Sequence, residues 1–178
     1  VWIFNNDAEA EASALKELVQ TGVAAQHVGL LSPWILDKRS QALWFGKGRI
    51  DWLRMRVIHE APTKNERKAV SYPSEFLTGC ALFIKRSLIE DIGLLDERFF
   101  LYYEDADFSR RAQAAGFAVR VVPKARVWHR EQSTANKEKL YFLVLSGLIF
   151  FQKHAFSWRR PYLSMYATIR RLKNYFDI

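Results

Sequence analysis

The chain has 178 residues, 49% hydrophobic and 15% aromatic, which excludes a disordered chain and allows one domain or slightly more with a real core. Its one cysteine, Cys80, excludes an internal disulfide and suits a reducing compartment. The longest apolar run, Leu140 to Phe151, falls short of the ~18 residues that a membrane-spanning helix needs.

The net charge of +8 is uneven. From Lys153 onward, Arg159, Arg160, Arg170, Arg171 and Lys173 face one acid, Asp177, among the aromatics Trp158, Tyr162, Tyr166, Tyr175 and Phe176. Such a tail points to an anionic partner or to a solvated basic helix face, and composition leaves both open. No nucleic-acid motif accompanies it, so nucleic acid is not the expected partner.

The chain opens on Val1-Trp2-Ile3-Phe4 without a Met, an apolar run read as a buried strand. A domain rarely begins inside such a strand, so an N-terminal part is expected upstream. The strand ends at Asn5-Asn6-Asp7, and sites in open α/β sheets lie beyond the carboxyl ends of strands. Glu9 and Glu11 read as first-turn partners of a helix over Ser13–Val19, with Gly22 as its stop. Val28–Leu36 reads as a strand broken or edged at Pro33. Ala42–Ile58 reads as a hairpin turning at Gly46-Lys47-Gly48, and His59–Tyr72 as a polar surface loop.

Phe76–Ile84 reads as a strand holding Gly79 and Cys80 in its middle, where a glycine marks either a close approach of a ligand or a bulge. Ser87-Leu88-Ile89-Glu90 has the form of a capping box, with Gly93 closing the helix. The helix that begins at Glu104-Asp105 continues through Phe108, Arg111, Ala112 and Ala115 to Gly116. Short strands then flank Pro123, and His129 ends the second. Beyond a polar stretch over Glu131–Glu138, residues Leu140, Leu143, Val144, Gly147, Leu148 and Phe151 form one helical apolar stripe.

Three features converge: Asn5-Asn6-Asp7 after a strand, Glu104-Asp105 at a helix start, and the strand-end His129. At a helix N-terminus the dipole and backbone N–H groups favour an ionised carboxylate, which suits a base; a simple helix cap is the alternative. Asp plus His is a partial shell for Mg²⁺ or Mn²⁺ that phosphate oxygens would complete.

The segment from Phe76 to His129, with Val1–Leu18, closely resembles bacterial family 2 glycosyltransferases of the rhamnosyltransferase-like branch, with motifs in the same order over residues 1–155. The resemblance implies an α/β GT-A fold, a Rossmann-like mixed sheet with flanking helices, here only its C-terminal part over 1–135, followed by C-terminal amphipathic helices in a basic, aromatic tail over 136–178. It implies Asp105 as catalytic base and Glu104 orienting it or touching acceptor. Asp7 matches the last Asp of the DxD-type metal motif, Asn5 stands at its first position, and His129 completes the metal shell. Gly79 and Cys80 line the donor and acceptor pocket, and Arg111 is counted with them.

The implied reaction is inverting transfer from a dTDP- or UDP-sugar, rhamnose among the candidates, to a hydroxyl of a glycan or lipid-linked acceptor. In this family the strands that bind the base and ribose precede the segment matched here. The chain alone is therefore expected to show little or no transferase activity. A cytoplasmic location is expected, and the tail is read as peripheral on the inner membrane face, beside the alternative of an ordinary packing helix. A non-catalytic sugar- or partner-binding domain of the same fold is the competing reading.

Overall fold

The computed structural model describes residues 1–130, 137–155, 161–162, 164–166 and 168. The elements run β1 (Trp2–Phe4), β2 (Ala8–Ala10), α1 (Ala14–Ala24), β3 (Val28–Asp37), β4 (Leu43–Phe45), β5 (Lys47–Asp51), β6 (Arg56–Glu60), β7 (Tyr72–Pro73), β8 (Ala81–Ile84), α2 (Arg86–Ile92), α3 (Glu104–Ala114), β9 (Ala118–His129) and α4 (Lys137–His154). One mixed sheet has the order β1-β8-β3-β9-β2, with β4 added to β3 and β7 to β9. β3 and β9 run parallel at its centre, while the other pairings are antiparallel.

The two central strands are apolar on both faces, as strands covered on each side must be. Successive residues point to opposite faces. Leu31 and Val122 thus pack with Ala14 and Leu18 of α1. Leu30 and Val121 face the larger core, built from α2 (Leu88), α3 (Ala106, Phe108, Ala112) and α4 (Leu148, Phe150, Phe151). α4 is therefore part of the main core: Phe150 and Phe151 are fully buried. Of its predicted stripe, Val144, Gly147, Leu148 and Phe151 are buried, while Leu140 and Leu143 are exposed. Among the described residues no helix is long and apolar enough to cross a membrane.

Several local expectations are corrected. β1 is an edge strand, with Val1 and Phe4 exposed rather than buried. Gly22 does not stop α1; it lies inside the helix, which continues to Ala24. Glu9 lies in β2 and pairs with Lys38, and Glu11 faces Arg126, so neither serves the first turn of α1. The hairpin turns at Trp52–Met55 between β5 and β6 rather than at Gly46-Lys47-Gly48. Its signal is Asp51, whose Oδ1 accepts the Arg54 N–H at 3.0 Å and fixes the turn.

Residues 76–80 are not in a strand, because side chains take their backbone groups: Ser74 Oγ donates to the Phe76 carbonyl and Ser109 Oγ accepts the Leu77 N–H. Ser87 lies inside α2, whose N-terminus has no side-chain cap. Pro123 does not split β9, because a register shift opposite Pro33 and Trp34 absorbs it. Gly93 and Gly116 do end their helices, at φ +76° and +87°. The loop expected over His59–Tyr72 is shorter, since His59 and Glu60 belong to β6 and Tyr72 to β7, and it holds a 3₁₀ turn at Glu66–Lys68; residues 131–136 and most of the basic tail lie outside the described residues.

Candidate active site

The ends of β1, β8 and β9 meet. After β1, Asn5 donates its N–H to the Cys80 carbonyl at 3.0 Å, which ties the Asn5-Asn6-Asp7 turn to the segment before β8. The chain reverses into β2, which pairs Ala8 with His129 at the end of β9, and the Asp7 carbonyl accepts the Arg130 N–H. This registration carries Asp7 Oδ1 to 3.2 Å from His129 Nε2. His129 is buried against Trp44, whose ring centroid is 5.0 Å away, while Asp7 is exposed.

Glu104 and Asp105 owe their place to an unusual helix entry. Tyr102 and Tyr103 both adopt left-handed backbone at φ +66°, a conformation that costs non-glycine residues about 1–2 kcal/mol each. α4 holds this turn down. Ser146 Oγ donates to the Leu101 carbonyl at 2.7 Å, and the Tyr103 ring lies 5.4 Å from that of Phe150. Gly147 makes the fit possible, since a Cβ there would come within 3.2–3.3 Å of the Tyr103 ring and hydroxyl.

Asp105 then accepts two backbone N–H groups, Gly79 on Oδ2 at 2.8 Å and Ala106 on Oδ1 at 2.7 Å. Ser109 Oγ donates to the Asp105 carbonyl and accepts the Leu77 N–H, a second tie between α3 and the Gly79 segment. The expectation that the helix terminus keeps this carboxyl readily ionised is corrected. Burial pushes it up, the neighbouring Glu104 charge adds to that, and the Gly79 and Ala106 amides only partly offset them, leaving it at about 7. Burial also raises Glu104, whose Oε2 is enclosed without a hydrogen-bond partner.

Arg111 stands elsewhere in this network. Its guanidinium donates to Asp107 Oδ2 at 2.9 Å and to the carbonyls of Ile92 and Leu94. Asp107, fully buried, also meets Lys153 Nζ at 2.6 Å and His154 Nε2 at 2.7 Å; Lys153 reaches on to Asp96, which Arg98 grips as well. Arg111 is thus committed to a brace joining α3 to α4. The sequence offered one signal for it: Asp107 lies two residues beyond Asp105, hence on the opposite side of the helix.

Among the described residues no three His, Cys, Asp or Glu side chains gather as a metal site. Asp7 and His129 nevertheless fit a divalent ion that has phosphates to complete its shell. They supply one carboxylate and one imidazole at 3.2 Å, and the buried His129 Nδ1 has no hydrogen-bond partner. The structure therefore brings Asp7 to His129, Asn5 to Cys80, and Gly79 to Asp105, along contiguous chain.

The profile of "Glycosyl transferase family group 2" matches residues 6–173. Over 93 residues the chain is 33% identical to the N-acetylglucosaminyl-diphospho-decaprenol L-rhamnosyltransferase of two Mycobacterium tuberculosis strains, CDC 1551 / Oshkosh and ATCC 25618 / H37Rv. That match covers 50% of this chain and 30% of those proteins, so the chain matches under a third of their length. Among solved structures, GalNAc-T7 with UDP, GalNAc and Mn2+ superposes with a TM-score of 0.62 at 18% identity, over 80% of this chain and 30% of that one, and shows the same GT-A fold. The chain is a member of glycosyl transferase family group 2, with a GT-A fold.

Proposed function

We propose that the protein catalyses inverting transfer of a sugar from a dTDP- or UDP-sugar to a hydroxyl of a glycan or lipid-linked acceptor, with Asp105 as base. The observation that carries this is the Asp105 carboxyl: held by two amides, raised to about 7 by burial and by Glu104, it is balanced between proton acceptor and proton carrier at neutral pH. Asp105 takes the acceptor O–H proton as that oxygen forms its bond to the sugar C1. The C1–O bond to the diphosphate breaks on the opposite face, and its electron pair leaves with the phosphate. Glu104 orients the acceptor and sustains the raised affinity of Asp105 for a proton.

Asp7 and His129 would hold Mg²⁺ or Mn²⁺, whose chemistry is to neutralise charge on a departing diphosphate. The M. tuberculosis relative is named for rhamnosyl transfer with an N-acetylglucosaminyl-diphospho-decaprenol, which supports a lipid-linked acceptor and a rhamnosyl donor here. The solved neighbour carries UDP and Mn2+, which supports a nucleotide sugar and a divalent ion. A cytoplasmic protein bound peripherally to the inner membrane face follows from that acceptor and the basic tail, rather than from any contact within the fold.

The test is Asp105→Asn, in the shortest form of the protein that turns over a sugar nucleotide, read as nucleoside diphosphate released in the presence of acceptor. Activity falls on the order of 10²–10⁴-fold. Undiminished turnover would sink the assignment and favour the non-catalytic binding domain.

A further inference from the structure

A cavity of about 270 Å³ lies between the β5–β6 turn and α4, lined by Met55, Val57, Tyr103, Val144 and Leu148 with Leu143 and Arg56. We infer that it holds the first apolar segment of a prenyl diphosphate-linked acceptor, with Arg56 on the diphosphate. This rests on the reading of the chain as a transferase to a lipid-linked acceptor, and it assigns that acceptor a place.

Position is the first argument. Tyr103 lines the cavity and is followed immediately by Glu104 and Asp105, so the lining starts within about 7 Å of backbone from the base. The cavity thus adjoins the helix entry that carries the base. Strain is the second. Met55 (φ +49°) and Tyr103 (φ +66°) both carry left-handed backbone, and such strain collects at ligand clamps.

Chemistry is the third. The lining is apolar apart from the Tyr103 and Tyr166 hydroxyls and one cation, Arg56. Arg56 is half-exposed; its Nε is ion-paired with Asp51 at 3.6 Å, and the other N–H donors of its guanidinium are the ones that would meet phosphate oxygens. The volume falls below the usual range for a whole small molecule, which suits a short segment rather than a complete prenyl chain. The remainder has a path: Leu143 joins the lining to an exposed apolar face of α4 with Leu140 and Tyr141, beside Phe100, whose ring is 4.9 Å from that of Phe142.

The probe is geranyl diphosphate, compared with inorganic pyrophosphate and geraniol by titration calorimetry on the native chain, Leu143→Asp and Arg56→Gln. Both substitutions fall on partly exposed side chains, and melting curves establish folding. Geranyl diphosphate should bind one-to-one and at least tenfold tighter than either part. Leu143→Asp should weaken it tenfold or more and weaken pyrophosphate less, because the new carboxylate repels both while the apolar contact is lost only to the prenyl compound, and Arg56→Gln should reduce it to the level of geraniol. If Leu143→Asp fails to fold, Arg56→Gln alone decides. Equal affinity in all three proteins would overturn the assignment, even if transfer to a water-soluble glycan persists and the transferase reading stands. Conversely, Leu143-dependent binding alongside undiminished turnover by Asp105→Asn in the shortest active form would keep the cavity and sink the reading of Asp105 as the transferase base.

Discussion

Gly79 donates its N–H to Asp105 Oδ2 at 2.8 Å, yet the carboxyl it stabilises still holds its proton to about pH 7. The larger effect is burial and the next is the charge of Glu104, which one residue away cannot be screened by much water. The log of kcat/KM should therefore climb with pH below 7 and level above it, because the base must be ionised. In Glu104→Gln the climb should move to lower pH but stay above the ordinary aspartate value, since burial persists. A pH–rate profile checks this, and a limb that does not move would show that Glu104 is not felt at Asp105.

The same carboxyl costs stability. Unfolded chain loses this proton near pH 3.8, while the folded protein keeps it to about 7. Across that window the folded state binds more protons, so this contribution to stability falls as pH rises and is flat above. Asp105→Asn should thus be more stable than the native protein at pH 8, on the order of 2 kcal/mol after the loss of one acceptor oxygen, with the advantage gone by pH 4. Denaturant unfolding at the two pH values reads it. A variant less stable at both would mean that the amide contacts outweigh the buried charge.

What the sequence could and could not disclose follows from the range of the forces. Strand-end His129, the Asn5-Asn6-Asp7 turn and the glycine stops at Gly93 and Gly116 depend on local chemistry and were legible as such. The GT-A fold was legible through the order of motifs. The β5–β6 turn escaped because its signal, Asp51 accepting from Arg54, is a side-chain bond rather than a glycine. The irregular 76–80 segment reads as a strand until Ser74 and Ser109 take its backbone groups, and Ser109 is 32 residues away from Leu77. The commitment of Arg111 was legible only in part: Asp107 is its i,i+4 neighbour on α3, but the carbonyls of Ile92 and Leu94 meet it only once the end of α2 packs against α3.

Asp7 and His129 supply few ligands, so ion binding should be weak alone and tighter with a nucleoside diphosphate. Asp7→Ala and His129→Ala should each lower Mn²⁺ affinity by roughly tenfold or more, measured by electron paramagnetic resonance with UDP present. Chelation should abolish transfer, and added Mg²⁺ or Mn²⁺ should restore it. Full turnover in excess chelator would remove the ion from the reaction.

Asp107 offers the sharpest stability test. Burial alone would raise its carboxyl, but hydrogen bonds from His154, Lys153 and Arg111 outweigh that and hold it low; Arg98 and Lys153 do the same for Asp96. Depressed carboxyls stabilise the fold above the unfolded value near 3.8 and lose that contribution as pH falls toward their folded values. Asp107→Asn should cost roughly 3 kcal/mol at pH 7, near the low end for a broken buried pair because Arg111 and Lys153 keep a fifth of their side chains exposed. It should also flatten the loss of stability below pH 4. Lys153→Met should cost less, since Asp107 retains Arg111 and His154. A double-mutant cycle between the two should return a coupling above about 0.5 kcal/mol, as expected of groups in one network. Simple additivity would mean that the Lys153 contact contributes nothing, and that Arg111 and His154 alone hold α3 against α4.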